Sequence, residues 1–95
     1  MMSPEKVAQR KNSYFKNTYG ITIDDYNEMF AEQNGCCAIC SGHQSEFKKS
    51  LAVDHCHETG IVRGLLCDHC NLALGKFKDD LNLVKSAARY LSETQ

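Results

Sequence analysis

Two cysteine pairs, Cys37-x2-Cys40 and Cys67-x2-Cys70, enclose the run Asp54-His55-Cys56-His57, and Asn71 follows the last cysteine directly. Each C-x2-C unit presents two thiolates from one tight turn, and two such units complete the four-sulfur shell that tetrahedral zinc takes. With four protein ligands no coordination position stays open, so zinc held there is structural and not catalytic. Cys36-x3-Cys40 is an alternative first pair, but the x2 spacing matches the second pair and makes the tighter turn. Cys56 is left outside the set, as a reduced thiol near the site or as a packing residue.

The residues between the pairs suit a different chemistry. Hydrolysis of a phosphodiester needs a deprotonated water, positive charge on the phosphoryl oxygens and stabilisation of the departing alkoxide. Imidazole is the side chain that accepts protons near neutral pH, and His55 and His57 supply two. A hard divalent ion on oxygen ligands answers the other two needs. Asp54 and Asn71 each offer a side-chain oxygen, which leaves positions for water and phosphate, and Glu58 stands close by in sequence. Against this, an Asp-His pair at a strand end is in isolation more often surface polarity than catalysis. The zinc frame and the adjacent Asn71 shift that balance without settling it.

The elements that must position these residues are short. Leu51-Ala52-Val53-Asp54 reads as a strand, His57-Glu58-Thr59-Gly60 as a turn and Ile61 to Leu66 as the returning strand. A short helix from about Cys70 to Phe77 follows the second cysteine pair, so Asp54 and His55 sit at a strand end and Asn71 at a helix start. Ser41 to Ser50 is polar and reads as loop. Upstream, Ser3-Pro4-Glu5 opens a helix running to about Thr18, with Tyr14, Phe15 and Tyr19 on its apolar side. Thr22 caps a second helix, with Ile21 placed to pack on Tyr26, a stripe of Ile23, Tyr26 and Phe30, and a stop at Asn34-Gly35. Asp79-Asp80 opens a last helix with Leu81, Val84, Ala88 and Leu91 on one face.

Ninety-five residues make one domain: a helical N-terminal arm (1–35), a zinc-stapled core (36–78) and a C-terminal helix (79–95). A chain this short buries a modest core and commonly needs a staple. Structural zinc contributes on the order of 10–16 kcal/mol in small domains, enough to decide whether such a chain folds. No secretory leader and no apolar run near the roughly 20 residues of a membrane span can be read in it, so a reducing cytoplasm is the expected setting and the cysteines are expected to bind metal. The net charge of −1 does not mark a nucleic-acid binder. The distribution is more informative: Lys6, Arg10, Lys11 and Lys16 cluster near the N-terminus, as a phosphate-tracking face or as a solvated helix face.

The stretch Val53-Asp54-His55-Cys56-His57-Glu58-Thr59-Gly60-Ile61-Val62-Arg63-Gly64-Leu65-Leu66-Cys67-Asp68-His69-Cys70-Asn71-Leu72-Ala73-Leu74-Gly75 resembles the recombination endonuclease VII family, and the likeness extends to Tyr19 through Tyr26, Gln33 through Cys40 and the last helix. The resemblance implies a small α+β fold with a ββα-metal (HNH, His-Me finger) core stapled by a four-cysteine zinc site and flanked by N- and C-terminal helices. It implies a DNA endonuclease with a one-metal, histidine-base mechanism. Cys37, Cys40, Cys67 and Cys70 would hold zinc, Asp54 and Asn71 would hold Mg2+ or Mn2+, and His55 would be the general base. His57 would stand near phosphate or metal, and Arg63 would hold DNA phosphate or serve the hairpin. DNA is the implied partner; a second copy of the chain, or phage packaging or recombination proteins, are further ones. The family's junction-resolving member has a glutamate where this chain has Leu74, and it continues into a long C-terminal region. Nicking or cutting of ordinary duplex DNA is therefore as well supported as action on branched DNA. The rival reading is a non-catalytic zinc module, or an accessory of a phage packaging or recombination complex.

Overall fold

The computed structural model describes residues 20–93. Along it run helix α1 (Ile23–Glu32), a 3-10 turn (Gln44–Glu46), strands β1 (Ala52–His55) and β2 (Val62–Leu66), helix α2 (Asp68–Lys76) and helix α3 (Leu81–Glu93). The strands form a two-stranded antiparallel sheet. This is the small α+β architecture expected. The helix expected over Ser3–Thr18 and the basic residues Lys6, Arg10, Lys11 and Lys16 lie outside the described residues.

Local chemistry explains the element ends. Thr22 and Asp25 form the capping box of α1: the Asp25 N–H donates to Thr22 Oγ1 at 3.1 Å and the Thr22 N–H donates to Asp25 Oδ2 at 2.9 Å. The helix stops where Asn34 and Gly35 take positive φ angles of 56° and 69°. At Gly35 an added Cβ would also meet His43 Nε2 at 2.9 Å, so the turn packs onto the following loop. That loop is more ordered than its composition suggests. Cys36 and His43 form an isolated bridge, and the Gln44 amide accepts from the Leu51 N–H at 2.7 Å while donating to the Lys49 carbonyl at 2.8 Å. Helix α2 starts at Asp68, ahead of the expected Cys70, because the Cys67 sulfur caps it.

The core is small. Cys37, Leu51, Val53, Leu65, Leu66 and Cys67 are buried, and Ile21, Tyr26, Met29, Phe30, Phe47, Val62, Cys70 and Leu74 pack around them. Three of the expected zinc ligands thus belong to the core or its shell, so a metal there would be part of the hydrophobic unit and not an appendage to it. The stripe expected on α3 is not absorbed in the same way: Leu81 and Leu91 are 65% and 57% exposed.

A two-stranded sheet has two open edges, and buried edge groups need partners. Here side chains provide them. Tyr26 Oη donates to the Leu51 carbonyl at 2.6 Å. Gln33 acts as a strand substitute on β2: its Oε1 accepts from the Leu65 N–H at 2.9 Å, and its Nε2 donates to the Leu65 and Cys36 carbonyls at 3.0 and 2.8 Å. Gly64 makes room for it, since a Cβ there would lie 3.2 Å from Gln33 Oε1. Replacing Gln33 by Leu leaves the Leu65 N–H without its partner, while the Leu65 carbonyl keeps the Ala38 N–H at 3.1 Å. The expected cost is about 1–3 kcal/mol. Thermal unfolding followed by circular dichroism should show a midpoint lower by about 4–8 °C for each kcal/mol; an unchanged midpoint would refute this role.

Candidate metal centre and hairpin site

The four cysteines converge. The sulfurs of Cys37, Cys40, Cys67 and Cys70 all lie within 4.8 Å of one another. Tetrahedral zinc with Zn–S bonds near 2.3 Å sets its sulfurs about 3.8 Å apart, and Cys40 Sγ and Cys67 Sγ are 3.8 Å apart. Cys36 lies outside the cluster, with its thiol turned to the Asn34 carbonyl at 3.4 Å, so the x2 spacing is the one the chain uses.

Backbone amides reinforce the sulfurs. The N–H groups of Ile39, Gly42 and Cys70 donate to Cys37, Cys40 and Cys67 at 3.4, 3.5 and 3.5 Å. Burial pushes the Cys37 thiol up, but amides of Cys67, Cys40 and Ile39 aimed at it outweigh burial and bring it down to about 6. Burial, with hydrogen bonds among the neighbouring sulfurs, pushes Cys70 up to about 12. A cation bound among these sulfurs would need all four as thiolates, so its binding releases protons. The donor set and spacing fit structural zinc.

Asp54 and His55 end β1, as the sequence predicted, and a bulge lies between them. The register runs Ala52↔Leu66, Val53↔Leu65, Asp54↔Gly64 and then His55↔Val62, which leaves Arg63 without a strand partner. Bulges re-aim side chains, and this one brings Arg63 to Asp54. Arg63 Nε donates to Asp54 Oδ2 at 2.7 Å and Nη2 to Asp54 Oδ1 at 3.0 Å. The same guanidinium holds Asp79, with Nη2 donating to Oδ1 at 2.8 Å and Nη1 to Oδ2 at 3.1 Å. Asp54 is consequently only 8% exposed although it lies on the strand face opposite Val53. Sharing one cation between two carboxylates raises the pKa of Arg63 further above its ordinary value. Arg63 in turn holds the Asp79 carboxyl below the usual carboxylate range, with His57 and His55 adding positive potential.

His55 and His57 face each other with ring centroids 5.1 Å apart and planes tilted by 58°. His55 is half-buried and His57 exposed. Asn71 lies on the exposed side of the first turn of α2, next to Cys70, and α2 packs against both strands. Leu74 points its apolar side chain into the core rim and lines a hollow of about 270 Å3 with Asp54, Arg63, Gly64 and Leu66. A larger hollow of about 400 Å3, lined by Glu46, Phe47, Lys48, Lys49, Asp68 and His69, contains none of the hairpin's chemical groups. Cys56 lies between the two histidines, and hydrogen bonds from the Thr59 hydroxyl and amide lower its thiol pKa.

Asp79 and Gln33 take roles that their sequence neighbours do not announce. The Asp79-Asp80 pair predicts a helix opening, and Asp80 alone caps α3, accepting from the Asn82 N–H at 2.8 Å. The surplus carboxylate was the available signal.

Residues 12–93 match the family Recombination endonuclease VII. The chain is 49% identical over 75 residues to the Gene 59 protein of Mycobacterium phage L5 and 45% identical over 75 residues to that of Mycobacterium phage D29, each match covering 78% of this chain. It spans 45% of the length of both relatives. Lys6, Arg10 and Lys11 precede the family match. A match over nearly the whole length, including the cysteine cluster and the bulged hairpin, places this chain in the recombination endonuclease VII family.

Proposed function

We propose that this protein is a metal-dependent DNA endonuclease that hydrolyses phosphodiester bonds at the Asp54–His55 end of the hairpin, in a ββα-metal (HNH) arrangement. The observation that carries the reading is the succession of β1, β2 and α2: Asp54 and His55 end one strand, and the next runs straight through Cys67 into the helix that bears Asn71. Membership of the endonuclease VII family supports the substrate class. The four cysteines hold structural zinc and thereby tie the helix of Asn71 to the hairpin of Asp54.

In this reading Asp54 and Asn71 present side-chain oxygens to Mg2+ or Mn2+, which when bound supplies positive charge against the phosphoryl oxygens and the departing alkoxide. His55 takes the proton from the attacking water. His57, facing it at 5.1 Å, meets the phosphate flank. A second reading, a zinc module that binds DNA without cutting it, draws support from Arg63, which engages both Asp54 oxygens.

Incubation of the zinc-loaded protein with supercoiled, single-stranded and branched DNA, with Mg2+ or Mn2+ added or omitted, separates the two. The nuclease reading expects divalent-dependent cleavage of at least one substrate and its loss in Asn71→Ala at unchanged zinc content. Binding without cleavage on all three would establish the module instead.

A further inference from the structure

We propose that Arg63 occupies the place of the divalent cation at Asp54 while that ion is away, and that Asp79 is the second berth that lets Arg63 withdraw when the ion arrives. The inference rests on the reading of Asp54 as a metal ligand and adds how access to it is regulated.

The bulge brings the guanidinium to Asp54, where its four N–H···O contacts divide evenly: two to Asp54 and two to Asp79. Such forked pairs are strong and directional. A divalent ion bound at Asp54 with Arg63 still in place would set two cations on one largely buried carboxylate, whose side chain is 11% exposed. Repulsion between like charges is weakly screened in that setting. Arg63 need not go into bulk water to escape, because Asp79 retains it through Nη1 and Nη2.

The end of α2 fixes where Asp79 stands. Lys78 and Asp79 have φ angles of 57° and 56° in succession. The turn closes α2, with the Lys78 N–H donating to the Gly75 carbonyl at 2.9 Å and the Asp79 N–H to the Leu74 carbonyl at 2.8 Å, and in doing so it sets Asp79 opposite Arg63. On withdrawal, the Nε–H and one Nη2–H of Arg63 are released beside the hairpin histidines, where an anionic phosphate oxygen can accept them. Loading of the cation and exposure of an arginine to phosphate become one event, and Asp79 is its positioning residue.

Binding of Mn2+ to the full, zinc-loaded chain, read by electron paramagnetic resonance of the free ion, tests this without cleavage. Asp54→Asn identifies the ion bound at Asp54. Asp79→Asn is expected to weaken Mn2+ binding on the order of tenfold, the size of a contact coupling. Arg63→Met is expected to tighten it, and in that background Asp79→Asn should have less than about a twofold effect. Zinc content and melting midpoint verify the fold, and Arg63→Gln serves if Arg63→Met fails to hold zinc. Equal weakening by Asp79→Asn in both backgrounds would make Asp79 a ligand and overturn the proposal. No effect in either would also overturn it. Mn2+ binding indifferent to Asp54→Asn would instead remove the metal reading itself.

Discussion

His55→Ala is expected to keep its zinc and its melting midpoint and to lose about 10²- to 10⁴-fold in the rate of DNA cleavage, the usual contribution of a general base. The fold should tolerate the change because the main chain of His55 carries the ladder pairing with Val62 while its ring packs on the rim, half-buried against His57. The loss should be large because the carboxylates of Asp54 and Asp79 are engaged by Arg63, and the side-chain amide of Asn71 does not take up a proton near neutrality. Single-turnover cleavage of plasmid by wild type and variant, at matched zinc content, reads the effect. Equal rates would assign the base elsewhere, and restoration of the loss by added imidazole would support a proton-transfer role over a structural one.

Cys67→Ser should have the largest effect on the fold. Cys67 is 2% exposed, caps α2 by accepting from the Cys70 N–H, and sits 3.8 Å from Cys40 Sγ. Serine preserves the size and a cap but not the soft thiolate. Zinc in small domains contributes on the order of 10–16 kcal/mol, whereas a whole domain is stable by about 5–15 kcal/mol. Among the described residues six form the buried core, two of them cysteines of the cluster, so little remains to hold β2 against α2. The expected result is a chain without bound zinc and without a cooperative thermal transition, read by metal analysis and circular dichroism. Cys36→Ser, whose thiol turns to the Asn34 carbonyl, should behave as wild type. A Cys67→Ser protein that melts cooperatively near the wild-type midpoint would show the cluster to be dispensable. Because removal of zinc unfolds the domain in this account, loss of cleavage in a strong chelator cannot by itself be assigned to the hydrolytic cation.

The sequence by itself determined the features carried by short spacings. C-x2-C places two sulfurs on one turn wherever it occurs, Thr22 and Asp25 are three residues apart and cap α1 through local bonds, and the short apolar runs around Val53 and Leu65, separated by His57-Glu58-Thr59-Gly60, mark two strands of a hairpin. The choice between Cys36 and Cys37 was legible only as a preference, since both reach the same turn and the direction of each side chain decides.

Tertiary structure alone decided the rest. Gln33 meets Leu65 across 32 residues, and Tyr26 meets Leu51 across 25; no local pattern encodes an amide that completes a distant strand edge. Arg63 reaches Asp54 because one residue is left over in the β2 register, and a slip of one residue reverses the face on which a side chain stands. Asp79 joins them across 16 residues through two left-handed backbone positions. Short-range rules name the candidate ligands and the elements. Which charge neutralises Asp54 depends on register and on chain direction after α2, and those emerge only when the strands, the cysteine cluster and the helices pack together.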